Sequence, residues 1–161
     1  MVVYSLVSFR AAALLVLPAF AVHVLEEAPS FTRWVNGHAS KEFTQGDFVR
    51  NNAAGLATGI LGCAVLAQFP GRTIVLLFFL GVVAQLFFNV SFHVWATFAF
   101  RTYSPGLWTS VPRYPPLSFY LVALAIRERL MDAWSLTAVV VIGGALHAYF
   151  VNRQVFHARP I

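Results

Sequence analysis

TIVLLFFLGVVAQLFFNVSFHVWATFAF (residues 73–100) contains no Asp, Glu, Lys or Arg along its whole length. A helix of this length, at about 1.5 Å per residue, exceeds the roughly 30 Å hydrocarbon core of a bilayer. The whole chain shares this character, with 59% hydrophobic residues, 11% charged residues and a mean hydropathy of +0.72. A soluble domain has about 25% charged residues. We therefore predict an all-α, polytopic transmembrane helix bundle that forms a single domain over residues 1–161.

Apolar segments on both sides of residues 73–100 bring the prediction to about five helices. The first covers residues 9–25. Residues 19–21 (AFA) are similar to a signal-peptide cleavage site, but an intact helix is favoured because cleavage there would leave His23 at the new N-terminus. The second, residues 53–69, is rich in glycine and alanine, which allow close helix packing in lipid. The fourth, residues 116–126, is short, so a re-entrant helix is the alternative to a full crossing. The fifth covers residues 133–151.

The charged residues lie mainly in the segments between these helices, a polar stretch at residues 29–52 and a turn-rich loop at residues 101–116. On five spans, the side that holds the C-terminus carries Arg33, Lys41, Arg50, Arg101, Arg113, Arg153 and Arg159. The other side carries Arg10, Arg72, Arg127 and Arg129. This bias predicts a multi-pass protein of a cytoplasmic membrane whose C-terminus is cytoplasmic. The formal net charge of +5 indicates contact with lipid head groups, and we expect no nucleic-acid partner.

Ionisable and amide side chains recur inside or at the ends of the predicted helices. His23, Glu26 and Glu27 have the spacing i, i+3, i+4, so they share one arc of the first helix. Asn89 and His93, spaced i, i+4, share a face of the third. Because an unpaired charge in hydrocarbon costs at least several kcal/mol, such groups face the bundle interior and pair with one another.

His147 is the remaining histidine inside a predicted span. On five spans, the relevant ends of the first, third and fifth helices lie on the same membrane side, so their polar groups should converge on one pocket. Nitrogen and oxygen donors of this kind suit zinc or iron, and a divalent cation would neutralise the two carboxylates. The predicted metal ligands are His23, Glu26, Glu27, His93 and His147. The predicted catalytic residues are Glu26, Glu27 and Asn89, with a free carboxylate acting as base on a metal-bound water.

Simpler interpretations exist for each of these residues. Glu26 and Glu27 at a helix end would also be stable in solvent or paired with Arg33. Asn89 would also serve as an interhelical hydrogen-bonding group in lipid. A solitary His147 is also compatible with ordinary packing.

The ordered set of motifs resembles the HXXEE family of small integral membrane proteins. HVLEE supplies His23, Glu26 and Glu27, NVSFH supplies Asn89 and His93, and the segment YSPGLWT at residues 103–109 is similar to the family's Pro-Gly element. His147 would correspond to a late helical histidine. The resemblance implies a polytopic membrane protein with a polar site, in a family of uncertain biochemical function.

The predicted site favours an enzyme that acts on a lipid or another hydrophobic small molecule in the bilayer, as a metal-dependent hydrolase or oxidoreductase. A metal-free acid–base isomerase or cyclase of an isoprenoid or sterol is the first alternative. There the rings of Phe87, Phe88, Phe92 and Trp95 would stabilise a carbocation. A proton-coupled transporter is the second alternative. The chain is short for a transporter, so a homo-oligomer would favour this alternative. The sequence does not determine the oligomeric state.

Overall fold

The computed structural model describes residues 7–38, 42–69 and 71–152 of the chain. Within these ranges the regular structure is helical and contains no strand. The helices are α1 (Phe9–Ala13), α2 (Val16–Glu27), α3 (Phe31–His38), α4 (Gln45–Gln68), α5 (Thr73–Phe100), α6 (Leu107–Arg127) and α7 (Ala133–Val151). A short turn at residues 14–15 separates α1 from α2. Lys41, Arg153 and Arg159, which enter the predicted orientation, lie outside the described residues.

Three stretches in the described chain are long and apolar enough to cross a membrane: Phe9–Glu27, Thr73–Phe100 and Ala133–Val151. They coincide with the first, third and fifth predicted segments, so the all-helical class and three candidate spans are confirmed. α4 and α6 are not among them. Asparagines at the start of α4 and the Ser, Pro and Arg residues of α6 lower their mean hydropathy. The five-span topology therefore stays a prediction.

The predicted loop at residues 101–116 is shorter than expected, because α6 begins at Leu107 and contains Pro112, Pro115 and Pro116. A proline inside a helix removes a backbone hydrogen bond and costs about 3 kcal/mol. Tertiary packing offsets this cost, since α6 buries Tyr114, Leu121, Leu124 and Ala125 in the main core. The prediction that the fourth helix starts at Pro116 is wrong for this reason.

The predicted polar stretch at residues 29–52 contains α3 and the first two turns of α4. α3 is amphipathic and buries Phe31 and Val35. α4 begins with a capping box in which the side chains of Thr44 and Asp47 each accept a hydrogen bond from the other's backbone N–H. The hydrogen bonds from Thr44 lower the pKa of Asp47 to about 2.

α5 is the central helix, and it packs against α4, α6 and α7. Its contact with α7 is close because small residues meet there. A Cβ atom added to Gly143 would lie 2.4 Å from the Cβ of Ala84, and one added to Gly81 would lie 2.7 Å from Ile142 Cγ2. Small residues of this kind let two helix backbones approach each other. α2 packs against α4 and α6, which brings the HVLEE segment beside α5 and the start of α6.

Candidate metal centre

Three donor groups from α2 and α5 meet at one buried point. The Nε2 atom of His23 lies 3.4 Å from Glu27 Oε1, and the Nε2 atom of His93 lies 3.5 Å from the same oxygen. All three side chains are buried, and one donor atom from each lies within 4.8 Å of the others. Two ligands of a tetrahedral ion with bonds of about 2.0–2.1 Å are roughly 3.3–3.4 Å apart. The nitrogen-to-oxygen distances therefore fit a single small cation.

Hydroxyl groups bind the opposite nitrogen of each imidazole. His23 Nδ1 lies 3.1 Å from Thr109 Oγ1, whose hydroxyl in turn donates to the carbonyl of Gly106 over 3.4 Å. In the tautomer in which Nδ1–H donates to Thr109 Oγ1, the Nε2 lone pair of His23 faces the centre. His93 Nδ1 lies 3.0 Å from Ser104 Oγ. Such partners fix the orientation of histidine ligands in metal sites.

Asn89 lies between the two imidazoles. Its amide nitrogen is 3.1 Å from His23 Nε2 and 3.0 Å from His93 Nε2. An amide group donates two hydrogen bonds, so Asn89 can satisfy both lone pairs. The structure thus brings together four of the residues predicted for the site: His23, Glu27, Asn89 and His93.

The loop between α5 and α6 lies directly against the two histidine rings. Gly106 has a φ of 98°, a left-handed conformation that L side chains rarely adopt. A Cβ atom at this position would lie 2.6 Å from His23 Cε1 and 2.7 Å from His93 Cε1. Glycine is therefore required here both by the backbone conformation and by the absence of space.

Glu26 is separated from the centre and binds the start of α6. Its carboxylate accepts hydrogen bonds from the backbone N–H of Thr109 at 2.8 Å and of Trp108 at 3.3 Å, and from the Tyr103 hydroxyl. A carboxylate at the N-terminus of a helix satisfies free N–H groups and the helix dipole. Burial, and then the hydrogen bond to Glu26, raise the pKa of Tyr103. The partners of Glu26 are thus on α6 and in the loop before it, and Arg33 is not one of them in the described chain.

A comparison of the sequence with known families bears on these residues. The profile of a family described as "Protein of unknown function with HXXEE motif" matches residues 14–121. The chain belongs to the HXXEE family. No curated protein and no solved structure matches it. The matched range contains the motif, Asn89, His93 and the Gly106 loop, and it ends before His147.

The two glutamates of the HXXEE motif differ in their surroundings in this structure. Glu27 faces the two histidines, whereas Glu26 caps α6 and holds the Gly106 loop against their rings. Sequence reasoning identified both glutamates but missed the roles of Ser104 and Thr109. The Pro-Gly element was the available signal, because Ser104 and Thr109 lie within it. The contacts themselves join residues far apart in sequence and follow no helical spacing.

His147 does not belong to the three-donor cluster in the described part of the chain. Its ring lies 6.5 Å, between centroids, from both Phe88 and Phe92. Its Nδ1 atom is buried and has no hydrogen-bond partner among the described residues. The side chain nevertheless faces the same internal space as His23 and Glu27.

That space is a cavity of about 300 Å³ between α2, α4, α5 and α7. Its wall is mainly apolar and includes Val16, Leu17, Phe20, Phe48, Val82 and Leu86. The candidate centre contributes His23, Glu27 and Asn89 to the wall, and Asn51, Asn52 and His147 also line it. An apolar cavity with a few grouped polar residues is typical of small-molecule sites.

Proposed function

We propose that this HXXEE protein is a metal-dependent membrane enzyme that acts on a hydrophobic substrate. Zinc or iron would be held by His23, Glu27 and His93. The observation that carries the proposal is the convergence of two imidazole Nε2 atoms and one carboxylate oxygen on one buried point at the wall of an apolar cavity. A cation would neutralise the buried Glu27 carboxylate, and it would replace the Asn89 amide as the partner of the two Nε2 atoms.

Two imidazoles and one carboxylate leave coordination positions open for water or substrate. This donor set occurs in catalytic zinc sites, where the ion activates water for hydrolysis. It also occurs in non-haem iron oxygenases. Glu26 is occupied at the start of α6, so we assign it a positioning role instead of the predicted role as ligand or base. Asn89 is the polar group placed to orient a bound substrate.

The proposal also includes a location. We propose that the chain crosses a cytoplasmic membrane five times with a cytoplasmic C-terminus, which would place the centre near the cytoplasmic surface. Support comes from the charge bias of the loops and from the candidate spans. Reporter fusions at Ile161 and after Phe69 test it. The two fusion sites should lie on opposite sides of the membrane, with Ile161 on the cytoplasmic side. Two fusions on the same side would contradict the five-span topology.

Metal analysis of the purified protein tests the enzyme proposal. Protein purified in mild detergent without chelators should contain a stoichiometric amount of zinc or iron, and Glu27→Gln and His93→Ala should lose it. Glu42→Gln, a change at an exposed glutamate before α4, is the matched control and should retain the metal. Folded wild-type protein that binds neither metal would overturn the proposal.

A metal-free acid–base isomerase or cyclase of an isoprenoid or sterol is the second candidate. It is favoured by the aromatic rings of Phe20, Phe31 and Phe92 in the cavity wall, because ring faces stabilise cationic intermediates. Of the rings named for this role from the sequence, Phe92 lines the cavity. Turnover that persists in a strong chelator would select this candidate, and turnover that is lost and restored by added metal would select the first.

A further inference from the structure

The cavity beside the candidate centre is elongated along the bundle axis. Phe78 and Phe92, both on α5, line it and are 14 residues apart. At about 1.5 Å per residue this separation corresponds to roughly 21 Å. A cavity of about 300 Å³ with this length is narrow, and it lies at the lower end of the volumes that hold small molecules, about 300–1,000 Å³. The shape fits one extended chain.

The cavity wall reaches the outer surface of the bundle at apolar side chains. Leu56 of α4, Phe78 of α5 and Phe150 of α7 line the cavity, yet they are 37%, 46% and 44% exposed. α5 and α7 are candidate membrane spans. An opening framed by apolar side chains on such helices faces lipid, so a molecule can enter it without passing through water.

Polar groups occur on the cavity wall near the candidate centre. His147 of α7 lines the cavity, and an imidazole can donate and accept hydrogen bonds. Asn51 of α4 lines the same cavity. These groups can hydrogen-bond to a polar group that enters the cavity. The remaining wall is mainly apolar and suits the hydrocarbon part of a ligand.

We propose that the cavity binds one aliphatic chain of a membrane lipid, with a hydroxyl, carboxyl or ester group at the end of the chain. The chain enters from the bilayer between α4 and α7, and its polar group hydrogen-bonds to His147 beside the metal centre. His147 is thus a residue that binds the substrate's polar group and is not a metal ligand. The inference rests on the proposed function for the chemistry, although binding of the chain itself needs no metal.

Photolabelling tests the location of the chain. A long-chain fatty alcohol that carries a diazirine near its middle is added to the full-length protein in nanodiscs, and labelled residues are identified by mass spectrometry. We expect labels on the cavity wall of α4 and α7. Val82→Phe, which places a ring in the cavity, should abolish them. Val141→Phe is the control because Val141 is 63% exposed on α7. The probe should label the same residues in this variant as in wild type.

Thr58→Phe fills the cavity from α4 and serves as the second variant if Val82→Phe does not fold. Labels confined to the outer, lipid-facing surface and unchanged in either filled variant would overturn the inference. Metal content is measured on the same samples. Cavity labelling in wild-type protein without stoichiometric metal would support the lipid site while removing the proposed enzyme function. Metal binding without cavity labelling would support the proposed enzyme function and overturn the lipid site.

Competition tests the role of His147. The unlabelled fatty alcohol and an alkane of equal length compete with the probe in wild type and in His147→Phe. The alcohol should compete more strongly in wild type by roughly fivefold to tenfold, the contribution of one buried hydrogen bond, and this advantage should disappear in the variant. An unchanged advantage in folded His147→Phe would overturn the assignment of His147.

Discussion

Glu26 and Glu27 are neighbours in the chain, yet their carboxylates contact different parts of the molecule. Glu27 points to the imidazoles of His23 and His93, and Glu26 points to the first turn of α6. On a helix, successive residues differ in direction by about 100°, so two adjacent glutamates can contact two different neighbouring helices. The motif therefore combines a candidate ligand with a group that positions the loop over the histidines.

Glu26→Gln should keep the metal but lower stability. An amide is a weaker partner than a carboxylate for the free N–H groups of Trp108 and Thr109, and loss of a helix cap costs about 0.5–2 kcal/mol. Thermal unfolding followed by circular dichroism in detergent measures this loss, with metal content measured in parallel. A folded Glu26→Gln protein that loses metal as completely as Glu27→Gln would show that both glutamates are ligands.

Gly106→Ala should both destabilise the protein and lower its metal content. Alanine is strained at a φ of 98°, and its Cβ would collide with His23 and His93. Gly37→Ala is the control, because a Cβ atom there meets nothing within 4 Å and alanine favours a helix. Equal melting temperatures and metal contents for the two variants would contradict the observed close approach of the loop.

Thr109→Val should weaken metal binding without removing a ligand. Valine has nearly the shape of threonine but cannot accept the hydrogen bond from His23 Nδ1, and the loss of such partners typically lowers metal affinity by about 10–100-fold. Competition with a calibrated chelator measures the affinity. Thr137→Val is the matched control, because this exposed hydroxyl of α7 donates to the carbonyl of Ala133 in its own helix. Unchanged affinity in Thr109→Val would exclude Thr109 as the group that orients His23.

At the scale of elements, the contact between α5 and α7 depends on small residues. Gly143 lies against Ala84, where an added Cβ would be 2.4 Å from the alanine Cβ. A Cβ atom added to the neighbouring Gly144 would lie at an ordinary contact distance of 3.5 Å from the ring of Phe88. One face of α7 therefore requires glycine, while the adjacent position tolerates a side chain.

Gly143→Ala should destabilise the bundle by about 1–3 kcal/mol, because overpacking forces neighbouring helices apart. Gly144→Ala is matched in chemistry and position and should be close to neutral. Denaturant or thermal unfolding in detergent compares the two. Similar stability for both variants would contradict the close approach of α5 and α7 at Gly143 and Ala84.

Helix prediction succeeded where the sequence carries a continuous apolar signal. The bounds of α5 and α7 follow directly from their apolar runs, whereas α3 and the first part of α6 were missed. α3 is short, and Thr32 and Arg33 interrupt the apolar positions Phe31, Trp34 and Val35. In α6 the prolines suggested a loop, because the energy that offsets them comes from packing against other helices, which no local pattern reveals.

At the scale of the whole molecule, the bundle joins groups that are distant in the chain. The helical spacing of His23 with Glu27 and of Asn89 with His93 was visible in the sequence, so their convergence was predicted. The separation of Glu26 and His147 from the three donors was not predicted. The depth of a residue along a span does not determine which neighbouring helix its side chain contacts. The cavity also required the helices to be assembled in space.

Metal removal should lower the stability of the whole bundle. A ligand that binds only the folded state stabilises it by about 2.7 kcal/mol at a hundredfold excess over its dissociation constant. A chelator should therefore lower the melting temperature of wild-type protein, and added zinc or iron should restore it. Glu27→Gln should not respond to either. A wild-type melting temperature that is insensitive to chelator in metal-containing protein would contradict a bound ion that links α2 to α5.

X-ray absorption at the metal edge of the purified wild-type protein tests the central claim most directly, because it reports the atoms bound to the ion. We predict a zinc or iron spectrum with two imidazole nitrogens and a carboxylate oxygen at about 2.0–2.2 Å, and loss of that signal in His93→Ala. Folded protein without bound metal, or metal bound without imidazole, would contradict the assignment of His23, Glu27 and His93.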